Sequence, residues 1–160
     1  MTIKVGDRIP SATLKHMTKE GPGNITTDEV FKGKTVVLFS VPGAFTPTCH
    51  AKHLPGFVQQ LDTLKAKGVD TVACLAVNDV FVIDAWGKAS NTGDKILMLA
   101  DGNAEFTKAL GLELDASGFG MGTRGKRFAL VAKNGVVTHL NLESAGEFRV
   151  SAAEYVLGQL

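Results

Sequence analysis

Cys49 stands in the stretch Val41 to His50, read VPGAFTPTCH, three residues after Thr46, with His53 four positions further on. It is one of only two cysteines in the chain, and the other, Cys74, sits among aliphatic residues in TVACLAV. The neighbours of Cys49 are loop and polar types rather than core formers, and an apolar-periodic segment follows. A cysteine at the first turn of a helix meets unpaired N–H groups and a partial positive charge, both of which favour the thiolate. Cys74 carries the opposite expectation, a packed and inert thiol.

Several uses of Cys49 remain open on residue types alone. A small buried hydrophobe is the plainest. A dithiol exchanger is excluded, because Lys52 follows at the third position and Thr46 precedes at the third. A metal site from Cys49, His50 and His53 lacks a fourth ligand, and successive residues point to different sides of a helix. A cysteine hydrolase needs a base, which His53 would supply from the same helical face. Pro55 would kink that segment, no orienting third partner is evident, and His53 reads better as a hydrogen-bonding or packing residue. Peroxide chemistry is the remaining use. The Thr46 hydroxyl can donate and accept at once, and the stretch GFGMGTRGKR, Gly118 to Arg127, brings permanent positive charge just before a later strand. As a phosphate-cradling glycine loop that stretch is weak, since a strand follows it. Left to itself it reads as a solvated connection.

The elements that must position these groups alternate. Thr35 to Val41 is continuously apolar and β-branched, as in a central strand covered on both faces. Leu54, Phe57, Val58, Leu61 and Leu64 recur at helical spacing up to Lys65, Lys67 and Gly68. Val69 to Val77 is a second strand, with Asn78 and Asp79 capping a helix through Trp86. Ile96 to Ala100 is a third, and Asn103 is expected to cap a short helix ending at Gly111. Arg127 to Ala132 and Val136 to Leu142 form a hairpin about Asn134 and Gly135. Ser151 to Glu154 reads as a capping box opening a terminal helix. The order predicts an α/β, thioredoxin-like fold: a mixed central sheet flanked by helices, with a C-terminal β-hairpin and helix. A flavodoxin-like sheet is the alternative, and the hairpin counts against it.

The 160 residues suit one domain, 1–160, with 17 basic against 16 acidic side chains. That balance gives no electrostatic footprint for nucleic acid. No apolar run reaches membrane-spanning length, and MTIKVGDRIP carries charges where a signal peptide needs an apolar stretch. The expectation is a soluble, cytoplasmic protein without membrane or nucleic-acid partners.

Pro42, Thr46 and Cys49 fit the P-x-x-x-T-x-x-C motif of peroxiredoxins, and VPGAFTPTCHAKHLPGF resembles the type II, or fifth, subfamily. The resemblance continues through Val72 to Asp79, Leu99 to Gly102, Ala109 to Asp115 and Gly122 to Leu130, nearly the whole chain. It implies thiol-dependent reduction of hydrogen peroxide and alkyl hydroperoxides through a sulfenic acid at Cys49. It also implies that Arg127 is the active-site arginine, with Arg124 in support. No metal, flavin, haem or nucleotide cofactor is implied. A homodimer is, with Phe45, Phe81 and the segment around Phe119 as contacts, although these aromatics read equally well as core or pocket wall. Some subfamily members carry a resolving cysteine near the C-terminus; this chain has none after Cys74. An external reductant is therefore expected, glutathione with or without glutaredoxin first and thioredoxin second, in antioxidant defence. A non-catalytic redox sensor is the competing reading.

Magnitudes set the division of labour. A free thiol of pKa ~8.5 is roughly 3% ionised at pH 7, so full ionisation gains only about 30-fold, or ~2 kcal/mol. The larger share must come from donors placed where charge develops as the O–O bond breaks. Thr46, the Cys49 N–H and Arg127 are expected in that role, with Pro42 shielding the sulfur.

Overall fold

Seven strands run side by side in the computed structural model, which describes residues 1–160. They are β1 (Thr13–Thr18), β2 (Gly21–Thr26), β3 (Thr35–Val41), β4 (Thr71–Ala76), β5 (Leu97–Ala100), β8 (Phe128–Lys133) and β9 (Val136–Leu142), in the order β2-β1-β5-β4-β3-β8-β9. The β3, β4 and β5 strands are mutually parallel, while β1, β2, β8 and β9 join antiparallel. This is the expected mixed sheet, and it rules out the all-parallel alternative. A separate pair, β6 (Glu113–Asp115) and β7 (Thr123–Gly125), lies outside it. Six α-helices accompany the strands: α1 (Thr27–Phe31), α2 (Leu54–Gln59), α3 (Leu61–Ala66), α4 (Val80–Ala89), α5 (Glu105–Leu110) and, after β9, α6 (Ala153–Gln159).

Strand β3 is the spine. From Val36 to Val41 every residue is buried, and its side chains alternate between two cores. Val37, Phe39 and Val41 join Phe57, Leu64, Ile83, Trp86 and both cysteines on one face of the sheet. Val36 and Leu38 join Phe31, Phe106, Leu110 and Phe128 on the other. A strand buried on both faces needs a continuous apolar run, which is what its sequence shows.

The β8–β9 hairpin turns at Asn134 and Gly135, both left-handed at φ 49° and 77°, as a two-residue turn of this hand demands. Four details differ from expectation. The N-terminal β1–β2 hairpin and α1 precede the alternation that the sequence shows from Thr35 onward, and they carry no strong local pattern. The capping box forms at Thr26 and Glu29, not at Ser151 and Glu154. Ala152 stands at the N-cap of α6 without a side-chain bond, because the Ser151 hydroxyl donates to Glu143 instead. Asn103 does not cap α5 either; the buried Asp101 carboxylate accepts the N–H groups of Phe106 and Thr107.

The helix after β3 is also irregular. Cys49–His53 forms a π turn, with the Leu54 N–H donating to the Cys49 carbonyl, and α2 and α3 are split at Gln60. Pro55 explains the wide turn. It has no N–H for the Ala51 carbonyl, and its ring would press on that carbonyl, so the backbone opens to longer-range bonding.

Candidate active site

Cys49 opens the π turn, beyond the loop 42–48 that follows β3, and is fully buried at 0% exposure. Burial of that degree would fit an inert filler. What separates it from one is Arg127, whose Nη2 donates to Sγ at 2.9 Å. Arg127 immediately precedes β8, which runs antiparallel beside β3 with Ser40 opposite Phe128. The turn that follows the β3 loop and the residue before β8 therefore bring thiol and guanidinium to the same point.

The second arm of the guanidinium is also engaged. Nη1 lies 2.8 Å from His53 Nδ1, and His53 Nε2 lies 3.0 Å from the Ser151 carbonyl. Since a carbonyl only accepts, Nε2 carries the proton and Nδ1 accepts from Arg127. Burial first, and then the Arg127 charge, lower the His53 pKa to about 3 against the opposing pull of Ser151 and Glu143. The ring is thus a neutral acceptor. The phenyl rings of Phe39, Phe57 and Phe148 enclose it, and Phe148 also lies 5.9 Å under the guanidinium carbon. His53 makes no hydrogen bond to Cys49, which removes it as the base of a cysteine hydrolase. It is the packing and hydrogen-bonding residue expected, and the partner it bonds is Arg127. The i, i+4 spacing from Cys49 was the available signal.

The remaining candidates surround this pair. Pro42, Thr48, Lys126 and Arg127 line a cavity of about 330 Å³ together with Leu114, Leu142 and the segment Glu143 to Glu147. Arg127 both faces that cavity and touches the sulfur. Thr46 is half-buried in the same loop; its hydroxyl donates to the Gly43 carbonyl at 2.7 Å, leaving its oxygen lone pairs as acceptors. It makes no hydrogen bond to Sγ. Arg124 donates from Nε to the Met121 carbonyl and from Nη1 to that of Pro42, at 3.0 and 3.4 Å. It braces the loop rather than the sulfur. The stretch from Gly118 to Arg127 is therefore not a free connection: its Thr123–Gly125 portion pairs with Glu113–Asp115. A larger residue at Gly43 would be tight, as a Cβ there would meet Thr46 Cγ2 at 3.0 Å and Arg124 Nη1 at 3.1 Å, both side-chain atoms that must give way.

Cys74 lies in β4 opposite Phe39 and is 1% exposed. Burial, and next the neighbouring Cys49, push its thiol well above the usual range. No group of three or more His, Cys, Asp or Glu side chains has the arrangement of a metal site. His50, in the π turn, turns away from Cys49 and accepts from the Trp86 indole at 3.1 Å. No helix is long and apolar enough to cross a membrane. Phe45, Phe81 and Phe119 are neither core nor closed pocket wall; they are 47%, 65% and 85% exposed.

This geometry has known counterparts. The Redoxin family matches residues 4–157. Peroxiredoxin-2C of Arabidopsis thaliana is 45% identical over 99% of this chain and 98% of its own. The chain is a peroxiredoxin. Peroxiredoxin-2E-2, chloroplastic, of Oryza sativa subsp. japonica is 49% identical over 99% of this chain and 73% of its own. Among solved structures, reduced Prx3 of Vibrio vulnificus in complex with hydrogen peroxide superposes with a TM-score of 0.95 at 55% identity, covering 99% of each chain. The fold is accordingly the thioredoxin-like fold of this family, and the activity of this peroxiredoxin is that of a thiol peroxidase, not of a passive sensor.

Proposed function

We propose that Cys49 is the peroxidatic thiol of this peroxiredoxin and that Arg127, Thr46 and Pro42 serve its reaction with hydrogen peroxide and alkyl hydroperoxides. The contact that carries the reading is Arg127 Nη2 on Cys49 Sγ at 2.9 Å. An electron pair of the thiolate forms the S–O bond, and the O–O pair departs on the other peroxide oxygen. That oxygen takes a proton and leaves as water or alcohol, while the sulfur is oxidised to sulfenic acid. The guanidinium stabilises both the thiolate and the charge growing on the departing oxygen, in a site from which water is largely excluded. Thr46, with its proton committed to Gly43, accepts the peroxide O–H and orients it. Pro42 and Thr48 form the wall that a peroxide passes to reach the sulfur from the cavity.

Closure of the cycle needs a thiol from outside. Glutathione, free or through glutaredoxin, would condense with the sulfenic acid to a mixed disulfide, expelling water; a second thiol then returns Cys49 to the thiolate. Thioredoxin is the second candidate. Both cysteines are unpaired, which suits a reducing compartment such as the cytoplasm. The exposed Phe45, Phe81 and Phe119 are the surface on which a homodimer would form.

The test is peroxide consumption with glutathione, glutaredoxin or thioredoxin as sole reductant. Wild type and Cys74→Ser are expected to turn over, and Cys49→Ser to have no activity. A folded but inactive Cys74→Ser protein would overturn the one-cysteine cycle. Sedimentation of Phe81→Asp beside wild type reads the dimer: loss of a two-chain species supports it.

A further inference from the structure

Between β9 and α6 the chain makes an exposed excursion, residues 144–150, and returns to the interior at Ser151, which is 0% exposed. One carboxylate gathers the two ends. Oε2 of Glu143 accepts the Arg149 N–H at 2.6 Å, the Ser151 N–H at 2.8 Å and the Ser151 hydroxyl at 2.7 Å. Its own N–H donates to the Arg127 carbonyl at 3.1 Å. Three bonds on one oxygen make a firm latch on an otherwise open loop. These bonds outweigh the desolvation that would raise the Glu143 pKa, and the carboxyl is held below its ordinary range.

The closed strap carries two of the contacts that hold the arginine and its anchor. The Ser151 carbonyl accepts from His53 Nε2, and the Phe148 ring lies against His53 and below Arg127. The chain of contacts runs from Glu143 to Ser151, to His53, to Arg127 and to the sulfur. We infer that Glu143 is a positioning residue for the peroxidase reaction: by latching the strap it fixes which ring nitrogen of His53 accepts, and so aims the Arg127 fork at Cys49. The inference rests on the assignment of Cys49 and Arg127 above. Without the latch, the Ser151 carbonyl and Phe148 are free to move. His53 loses the bond that defines its tautomer, and Arg127 loses a fixed partner for Nη1. A displacement of about 1 Å at a reacting group is enough to cost roughly 100-fold in rate.

Two readouts decide it, measured on Glu143→Ala, Glu143→Gln and Ser151→Ala. The first is the tautomer of His53, read from the ring-nitrogen shifts in long-range 1H–15N spectra without peroxide. The second is the second-order rate constant for hydrogen peroxide, by competition. Wild type is expected to show the Nε2–H form alone. Glu143→Ala is expected to lose that single form and to slow the peroxide step about 10- to 100-fold. Glu143→Gln keeps an acceptor oxygen and should fall less, and Ser151→Ala, which loses one bond of three, least. If Glu143→Ala does not fold, the other two variants carry the same test. A wild-type His53 spectrum in folded variants overturns the latch, whatever the rate does. An altered spectrum with an unchanged rate overturns its part in the reaction. Because the tautomer is read without peroxide, an active Cys49→Ser protein would refute the assignment of the thiol and leave the latch standing.

Discussion

Cys49 and Cys74 share one hydrophobic cluster and are equally hidden, at 0% and 1% exposure. Cys74 sits mid-strand with aliphatic neighbours, and burial pushes its thiol up. Cys49 opens a helical turn beyond β3, where the residue preceding β8 brings a guanidinium to 2.9 Å. On the proposed assignment of Cys49 as the reacting thiol, depth does not decide reactivity. What decides it is whether the anion, once formed, has a fixed cation to face.

The largest expected effect breaks the pair outright. Cys49→Ser removes all peroxidase activity in a coupled assay while Cys74→Ser keeps it; the reverse would exchange the roles. Brief iodoacetamide treatment followed by mass mapping sharpens the same contrast, with native Cys49 alkylated and Cys74 spared until the chain is unfolded.

Removing the cation should make Cys49 resemble Cys74. Arg127→Gln is expected to slow the peroxide step about 10²- to 10³-fold, as loss of a preorganised donor does elsewhere. That exceeds the ~30-fold which ionisation alone could account for, so rate and thiolate fraction, measured together, should part company. Thr46→Val should show the same divergence on a smaller scale. Equal losses in both quantities would mean that the arginine only ionises the sulfur.

A third effect is on stability and comes from His53. Above pH ~6.5 the ring is neutral in both folded and unfolded chains. Between pH 6.5 and about 3 the unfolded chain takes up a proton that the folded one refuses. Folding should weaken by up to about 1.4 kcal/mol per pH unit across that window. The carboxyl groups with lowered pKa, such as Glu143, act only below their ordinary value of 4.5. Urea midpoints at pH 7.5 and 5 cover the upper part of that window, and His53→Leu should flatten the part of the difference that His53 carries. The smallest effect is Gly43→Ala, where flexible side chains crowd the new methyl. A few-fold loss of activity with a change in stability of about 1 kcal/mol is expected, checked by rate and thermal midpoint.

Legibility follows how local the cause is. Strand β3 and the Asn134-Gly135 turn were readable because a few adjacent residues dictate them. The polar neighbourhood of Cys49 marks it out in the sequence, but nothing local distinguishes Arg127 among the basic residues, since the sulfur it contacts lies 78 positions away. The Ser151 and Asn103 caps failed for one reason: in each case a carboxylate, Glu143 or Asp101, met the local demand differently. A box motif records what a side chain can reach within one turn, not a competitor brought in by the fold. The His53 tautomer was beyond reach for the same reason, being fixed by a carbonyl 98 residues on.

The pairing of Ser40 with Phe128 places Arg127 just beyond the last matched pair of β3 and β8. Successive strand residues point to opposite faces, so sliding β8 by one step would send the guanidinium to the far side of the sheet. Correct alignment of two strands is thereby written into chemistry. A batch of refolded protein should divide into fully competent and silent molecules, with nothing half-competent between, and a titration of working sites would count how many chains zipped up in step.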